Sequence, residues 1–277
     1  MSTDSTSASV GGNPEGARTA VSTAAHQASR QYRDQGWVLL DNRVDDAALR
    51  AFRELLDDSS VHRVVEDDGV TLRSVYGFQQ RLDFKHWLSR QSWLRMLLDD
   101  LLGPEVYVYQ SKINQKNRLA TAVWPYHRDF PFWHVFDGVP ECRMVNVAIY
   151  LDDITPDCGP LKLLNNSHRS FLPRESQGPQ PDYTLQASAG ADLAFAFSDS
   201  EVQYLRSSGG ERSAEGPRGS VLLFHPQTVH GSGASNRDAS RRVMLLTFNA
   251  CDNRPVRPEA RPDFLCARDC SPVHWAS

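Results

Sequence analysis

The sequence predicts a mainly β protein: an antiparallel jelly-roll core buttressed by helices that come first in the chain. Three features predict it. Up to Gly103 the apolar residues fall at helical spacing. After Gly103 short runs rich in Val, Ile, Leu, Tyr and Phe alternate in the manner of strands. Gly, Pro, Asn and Ser clusters separate those runs as turns.

Residues 1–24 are rich in Ser, Thr, Gly and Ala and hold few large apolar side chains, so a disordered tail is expected there. Residues 25–277 then form a single domain. A short helix ends near Gly36, and the strand "WVLL" follows. A second helix starts near Asp45, with Asp46 in its first turn and Leu49, Phe52, Leu55 and Leu56 on one face. A further helical stretch, "FKHWLSRQSWLRMLLDDLLG", is closed by Gly103. Strands follow at "EVYVYQSKIN", "RMVNVAIYLDDI", "GSVLLF" and "RRVMLLTFN", the last two separated by the turn-rich "GSGASNRDAS". Residues 170–218 are polar, rich in Ser, Gly and Pro, and poorly periodic. A lid or mobile loop is expected there.

Composition narrows the function. The 277 residues are 40% hydrophobic and 23% charged, an ordinary globular balance that can fill a sizeable core. A net charge of −4 offers no basic surface for nucleic acid. No apolar run reaches the length of a membrane span, and the N-terminus lacks an apolar signal segment, which points to a cytoplasmic protein. Cys142, Cys158, Cys251, Cys266 and Cys270 fit no zinc-site spacing, and free thiols are expected.

The stretch "WPYHRDFPFW", residues 124–133, sets charged groups in an aromatic frame. On an extended strand His127 and Asp129 project from one face and Arg128 from the other. An imidazole and a carboxylate so placed are two thirds of the two-His-one-carboxylate set that suits non-haem Fe(II). A His-x-Asp pair is common by chance, so a third ligand decides the matter. His134 is too near for a separate strand, and His168 sits beside a turn. His225 and His230 lie between two strands, His230 at a strand end before Gly-Ser-Gly. A co-substrate with a free carboxylate also needs a cation, best an Arg for its bidentate fork. Arg241 and Arg242 open the strand after the His230 turn, and only one of two adjacent strand residues can point inward.

"YHRDF" at 126–130, "GPLKLLNNSH" at 159–168 and "HGSGASNRDASRRVMLLTFN" at 230–249 resemble the phytanoyl-CoA dioxygenase family. So do "VEDDGVTLRSVYG", "VYVYQSKIN", "DGVPECRMVNVAIYLDDIT" and "RPDFLCARDCSP", in order along residues 30–272. The likeness is greatest to the bacterial branch that hydroxylates free amino acids and similar solutes, among them proline, leucine and ectoine. It implies a double-stranded β-helix and an oxygenase dependent on Fe(II), 2-oxoglutarate and O2. It implies His127, Asp129 and His230 as catalytic iron ligands and Arg241 as partner of the distal carboxylate of 2-oxoglutarate, with Arg242 outward. Asn146 falls where relatives place a polar residue near that same carboxylate. Gln110 and Asn114 match positions lining the co-substrate pocket, and Trp133 matches an aromatic on the substrate side.

Three departures bear on substrate rather than metal. Arg128 stands where Gln or Ser is usual, "NNSH" where relatives carry "PGSH" or "PGTH", and Tyr126 where Trp is common. Arg128 is read as a solvated outer-face residue, and His168 and His225 as structural. A halogenase of this fold lacks the carboxylate, so Asp129 favours hydroxylation or another oxidation over halogenation. The expected substrate is a free amino acid or an amino-acid-like small molecule. The rival readings are a larger or carrier-tethered natural product, and a non-catalytic binding protein of the same fold.

Overall fold

The computed structural model describes residues 14–66, 68–117, 123–170 and 195–276, with side chains from residue 23 onward. In chain order it runs α1 (Pro14–Gln35), β1 (Trp37–Leu40), α2 (Asp46–Glu54), β2 (His62–Val65), β3 (Leu72–Tyr76), α3 (Leu82–Ser89) and α4 (Ser92–Leu102). Then come β4 (Val106–Lys116), β5 (Trp124–His127), β6 (Met144–Tyr150), β7 (Leu161–Leu164), α5 (Asp199–Gly209), β8 (Glu211–Ser213), β9 (Val221–Phe224), β10 (His230–Ser232) and β11 (Arg241–Ala250). None of the described helices is long and apolar enough to cross a membrane.

The strands form two antiparallel sheets, ordered β1-β9-β6-β11-β4-β3-β2 and β5-β10-β7-β8. This is the jelly-roll arrangement with helices on one flank. Strict alternation builds it. On β6, Val145, Val147 and Ile149 join the core under the helices, while Ala148 and Tyr150 face the interior between the sheets. On β11, Met244, Leu246 and Phe248 go to the helix side, and Val243 and Leu245 to the interior. The same period puts Arg241 on the interior row and Arg242 outside, where it pairs with Asp152 through Nε at 2.8 Å and Nη2 at 2.9 Å.

Local chemistry sets the element ends. Asp45 caps α2 by accepting from Ala48 N at 2.9 Å, and Leu49 and Phe52 are buried as expected. Residues 84–103 form two helices rather than one. Phe84 and Leu88 face the core, so an unbroken helix would next bury Gln91, Ser92 and Arg95. The break at Arg90–Gln91 resets the phase and brings Leu94, Leu97 and Leu98 to the same core.

Two expectations change. The helix ending at Gln35 reaches back to Pro14, so residues 14–24 are helical rather than a disordered tail; residues 1–13 lie outside the described residues. From residue 195 the segment expected as a lid or mobile loop carries regular structure and contacts to the sheet. Ala196 bridges His127, Phe197 N donates to Tyr126 O at 2.7 Å, α5 carries a Ser198–Glu201 capping box, and β8 pairs with β7. The stretch 171–194 lies outside the described residues.

Candidate metal centre and cavity

The interior between the sheets holds one cluster of candidate metal ligands among the described residues: His127, Asp129 and His230, with one ligand atom from each within 4.8 Å of the others. Three segments bring them together. His127 ends β5 and lies directly opposite His230, the first residue of β10. The two rings are 4.3 Å apart between centroids. Asp129 does not share a strand face with His127, as an extended "YHRDF" would require. The strand stops at His127, and Asp129 has helical backbone angles (φ −78°, ψ −42°) at the head of the turn Phe130–Phe132. Asp129 N and Phe130 N both donate to Pro226 O, at 3.0 and 3.2 Å, which ties this turn to the loop leading into His230.

Hydrogen bonds fix the orientation of all three side chains. His127 Nδ1 lies 2.8 Å from Pro125 O, and His230 Nδ1 lies 2.9 Å from Thr228 O. Both rings therefore carry their proton on Nδ1 and present Nε2 inward. Those Nε2 atoms lie 3.6 Å from Asp129 Oδ1 and 3.7 Å from Asp129 Oδ2 respectively. Asn146 Nδ2 donates to Asp129 Oδ2 at 2.6 Å, and its own Oδ1 accepts from Thr247 Oγ1 at 2.8 Å. Burial, reinforced by the nearby His127, pushes His230 down to about 4, so its imidazole is neutral at pH 7. Burial opposes the Asp129 charge, but His230, His127 and Lys112 outweigh it and hold the carboxyl well below its usual range. Two imidazoles presenting Nε2 and a carboxylate are the donor set that fits Fe(II).

The ligands open onto a cavity whose walls are the inward rows of the strands. From β4 come Gln110, Lys112, Asn114 and Lys116, every second residue. Arg241, Val243 and Leu245 come from β11, and Ala148 and Tyr150 from β6. Phe132 and Trp133 follow Asp129 on the helical turn, and Trp133 meets Tyr109 edge-on at 5.5 Å. Arg241 Nε is buried with no hydrogen-bond partner among the described residues. An orphaned guanidinium nitrogen in a cavity fits an anionic ligand such as a second carboxylate. Lys116 sits directly opposite Arg241 on β4; burial and that neighbouring charge push its pKa down to about 8.

The sequence-named residues thus converge, with changes of role. Gln110, Asn114, Trp133 and Arg241 all line the cavity. Gln110 is tied down, its Nε2 donating to Leu265 O at 2.9 Å. Asn146, expected near the distal carboxylate of 2-oxoglutarate, donates to Asp129, and β6 places it across from Thr247. Arg128 is not solvated. Its Nη2 donates to Ser167 O and Ser170 O at 2.7 and 2.8 Å, and its guanidinium lies over the Phe197 ring. It therefore locks the metal-bearing turn to the corner after β7. His168 and His225 stay outside the cavity: His168 Nε2 contacts Arg33 O at 3.0 Å, and His225 Nδ1 accepts from Gln227 N at 3.0 Å. Sequence reasoning missed Lys112, Lys116 and Arg261 as cavity residues. The period-two polar row from Gln110 to Lys116 signals the first two. Nothing local to Arg261 signals its place. All five cysteines are free thiols, as expected.

A model of the family described as phytanoyl-CoA dioxygenase (PhyH) matches residues 32–243. The chain is 34% identical over 260 residues to L-proline trans-4-hydroxylase of Streptomyces griseoviridis, covering 91% of this chain and 96% of that protein. It is 31% identical over 238 residues to ectoine dioxygenase of Streptomyces anulatus, covering 84% of this chain and 77% of that protein. The crystal structure of apo EctD from S. alaskensis superposes with a TM-score of 0.76 at 25% identity, covering 90% of this chain and 86% of that one.

Proposed function

The chain belongs to the phytanoyl-CoA dioxygenase family, and on that premise we propose that it is an Fe(II)- and 2-oxoglutarate-dependent dioxygenase. Its substrate is a free amino acid or an amino-acid-like small molecule, hydroxylated at an unactivated C–H bond. The observation that carries the reading is the inward-facing set His127, Asp129 and His230 beside a cavity that also holds the orphaned Arg241. The relatives support the substrate class: those named above are a proline hydroxylase and an ectoine dioxygenase.

In this reading His127 Nε2, His230 Nε2 and an Asp129 oxygen hold the iron, and Arg241 pairs with the distal carboxylate of 2-oxoglutarate. When bound, iron, 2-oxoglutarate and O2 supply an oxidant able to place one oxygen atom in a C–H bond, with the keto acid leaving as succinate and CO2. The protein's own share is positioning. The carbonyls of Pro125 and Thr228 hold the two imidazoles in the ligating tautomer. Asn146 and the Pro226 carbonyl fix Asp129. Burial keeps His230 neutral and therefore able to ligate at neutral pH. Phe132 and Trp133 form an apolar wall that keeps water from the reacting bond.

The test is a panel of free L-amino acids plus ectoine, incubated with the protein, Fe(II), 2-oxoglutarate and ascorbate. A mass gain of one oxygen with matching succinate release is the expected result, and Asp129→Ala should abolish both. Turnover only of carrier-tethered substrates would favour the larger-substrate reading. A protein that binds no iron and releases no succinate with any substrate is not an oxygenase. Normal hydroxylation by the Asp129→Ala variant would refute the ligand assignment.

A further inference from the structure

Five cationic side chains line the cavity: Arg73, Lys112, Lys116, Arg241 and Arg261. Three are engaged by the chain itself. Arg73 lies 3.8 Å from Glu66 and 4.6 Å over the Trp124 ring. Lys116 Nζ donates to Ser232 Oγ at 3.2 Å and to Gly233 O. Arg261 is bound to Asp137, with Nε donating to Oδ1 at 2.7 Å. That leaves Arg241 and Lys112, neither of which has a hydrogen bond or ion pair among the described residues. Arg241 is buried at its unpartnered Nε, where an unpaired charge is costly, and Lys112 is half-buried with its side chain on the cavity wall. An anionic group on a bound molecule could pair with each.

The two cations occupy different places. Lys112 stands opposite Leu245 of β11 and Tyr76 of β3. Arg241 is four residues further along β11, about 13 Å of strand at roughly 3.3 Å per residue. Lys112 is also near enough to the metal ligands for its charge to act on Asp129 and His230. On β4 it sits between Gln110, whose amide is committed to Leu265 O, and Asn114. Within the oxygenase reading above, one diacid held at Arg241 accounts for one cation and leaves the other.

We propose that Lys112 is the residue that reads the carboxylate of the substrate. The substrate class is then narrowed to free acids. An amide, an ester or a carrier-tethered thioester removes the anion that Lys112 pairs with.

The experiment uses full-length protein loaded with Fe(II) under anaerobic conditions and reads affinities by calorimetry. The probes are 2-oxoglutarate, each free L-amino acid, ectoine, and the carboxamide of whichever acid binds. The wild type should bind the acid roughly ten- to hundredfold more tightly than its amide, the ratio expected for a hydrogen bond to a charged group. Lys112→Met should remove that preference by weakening the acid alone, with 2-oxoglutarate affinity within twofold of wild type, and Lys112→Arg should restore it. Equal wild-type affinity for acid and amide overturns the proposal without recourse to a variant. So does a Lys112→Met protein whose 2-oxoglutarate affinity falls while acid binding holds, since Lys112 then serves the co-substrate. Wild-type protein that binds 2-oxoglutarate but none of the acids overturns the amino-acid reading and this proposal together.

Discussion

Replacing Asn146 by Ala separates two roles that the sequence and the geometry assign to it. The resemblance places residue 146 near the distal carboxylate of 2-oxoglutarate. The structure instead has its Nδ2 donating to Asp129 Oδ2 at 2.6 Å, with the amide oriented by Thr247 Oγ1 at 2.8 Å on the adjacent strand. A hydrogen bond to an ionised group contributes roughly 1.5–3 kcal/mol. At 1.4 kcal/mol per decade this corresponds to about a 10- to 150-fold change in an equilibrium constant. Partners of metal ligands typically alter metal affinity by about 10- to 100-fold when removed. Asn146→Ala should therefore raise the dissociation constant for Fe(II) by about one to two decades while the affinity of the metal-loaded protein for 2-oxoglutarate stays within about twofold. Calorimetric titration of the metal-free protein under anaerobic conditions reads the first quantity, and titration of the loaded protein reads the second. Thermal unfolding checks that the variant is folded, since Thr247 also loses its acceptor. Metal affinity within twofold of wild type, with 2-oxoglutarate affinity lost instead, would refute the reasoning and restore residue 146 to the co-substrate.

Three further outcomes follow from the same geometry. Arg241→Gln should weaken 2-oxoglutarate by at least tenfold and leave Fe(II) affinity unchanged, because its buried Nε makes no hydrogen bond to a metal ligand; a loss of metal affinity of the same size would contradict its assignment. Burial pushes both His225 and His230 down to about 4, against about 6.5 in the unfolded chain, so between those values the unfolded chain binds more protons than the folded one. The thermal midpoint of the metal-free protein should accordingly fall as pH drops from about 6.5 towards 4, with a shallower fall in His225→Gln; a flat profile would refute the neutral-imidazole assignment. Arg261→Met should cost about 3–5 kcal/mol in chemical denaturation, because it leaves the fully buried Asp137 carboxylate without its cation, and Arg261→Met with Asp137→Leu should recover most of that loss.

Much of this site is legible in the sequence, for reasons visible in particular residues. Strand alternation is a local property. It shows that Arg241 and Arg242 face opposite ways, and the same rule applied to "YQSKINQK" finds the polar row that lines the cavity. The spacing of Leu49, Phe52, Leu55 and Leu56 marks α2 equally directly. The rest depends on where segments meet. The strand through "YHRDF" ends at His127, two residues short of Asp129, because the backbone at Asp129 and Phe130 bonds to Pro226 O, a residue nearly a hundred positions away. Arg128 reads as a surface charge until the carbonyls of Ser167 and Ser170 are seen to receive it. The polar 195–218 stretch looks mobile because its anchors, Tyr126, His127 and β7, lie on other strands.

The close pairing of β5 with β10 shows how little slack the ligand set has. Gly231 follows His230 directly. A Cβ there would stand 2.8 Å from Trp124 O and 3.3 Å from the Tyr126 ring, the first of these a backbone atom on the neighbouring strand. Gly233, two residues on, has nothing within 4 Å of its Cβ position. The same substitution at the two positions is a matched pair. Gly233→Ala should leave metal affinity and stability near wild type. Gly231→Ala must push β10 from β5, moving His230 against His127 across the pair that aligns them. Overpacking of this kind costs about 1–3 kcal/mol of stability. A misplacement of about 1 Å at a reacting centre costs on the order of a hundredfold in rate. Gly231→Ala protein should thus lose metal affinity and turnover out of proportion to its loss of stability, read by calorimetry and succinate release. If the two variants lose metal affinity equally, the register of these two strands does not set the geometry of the site.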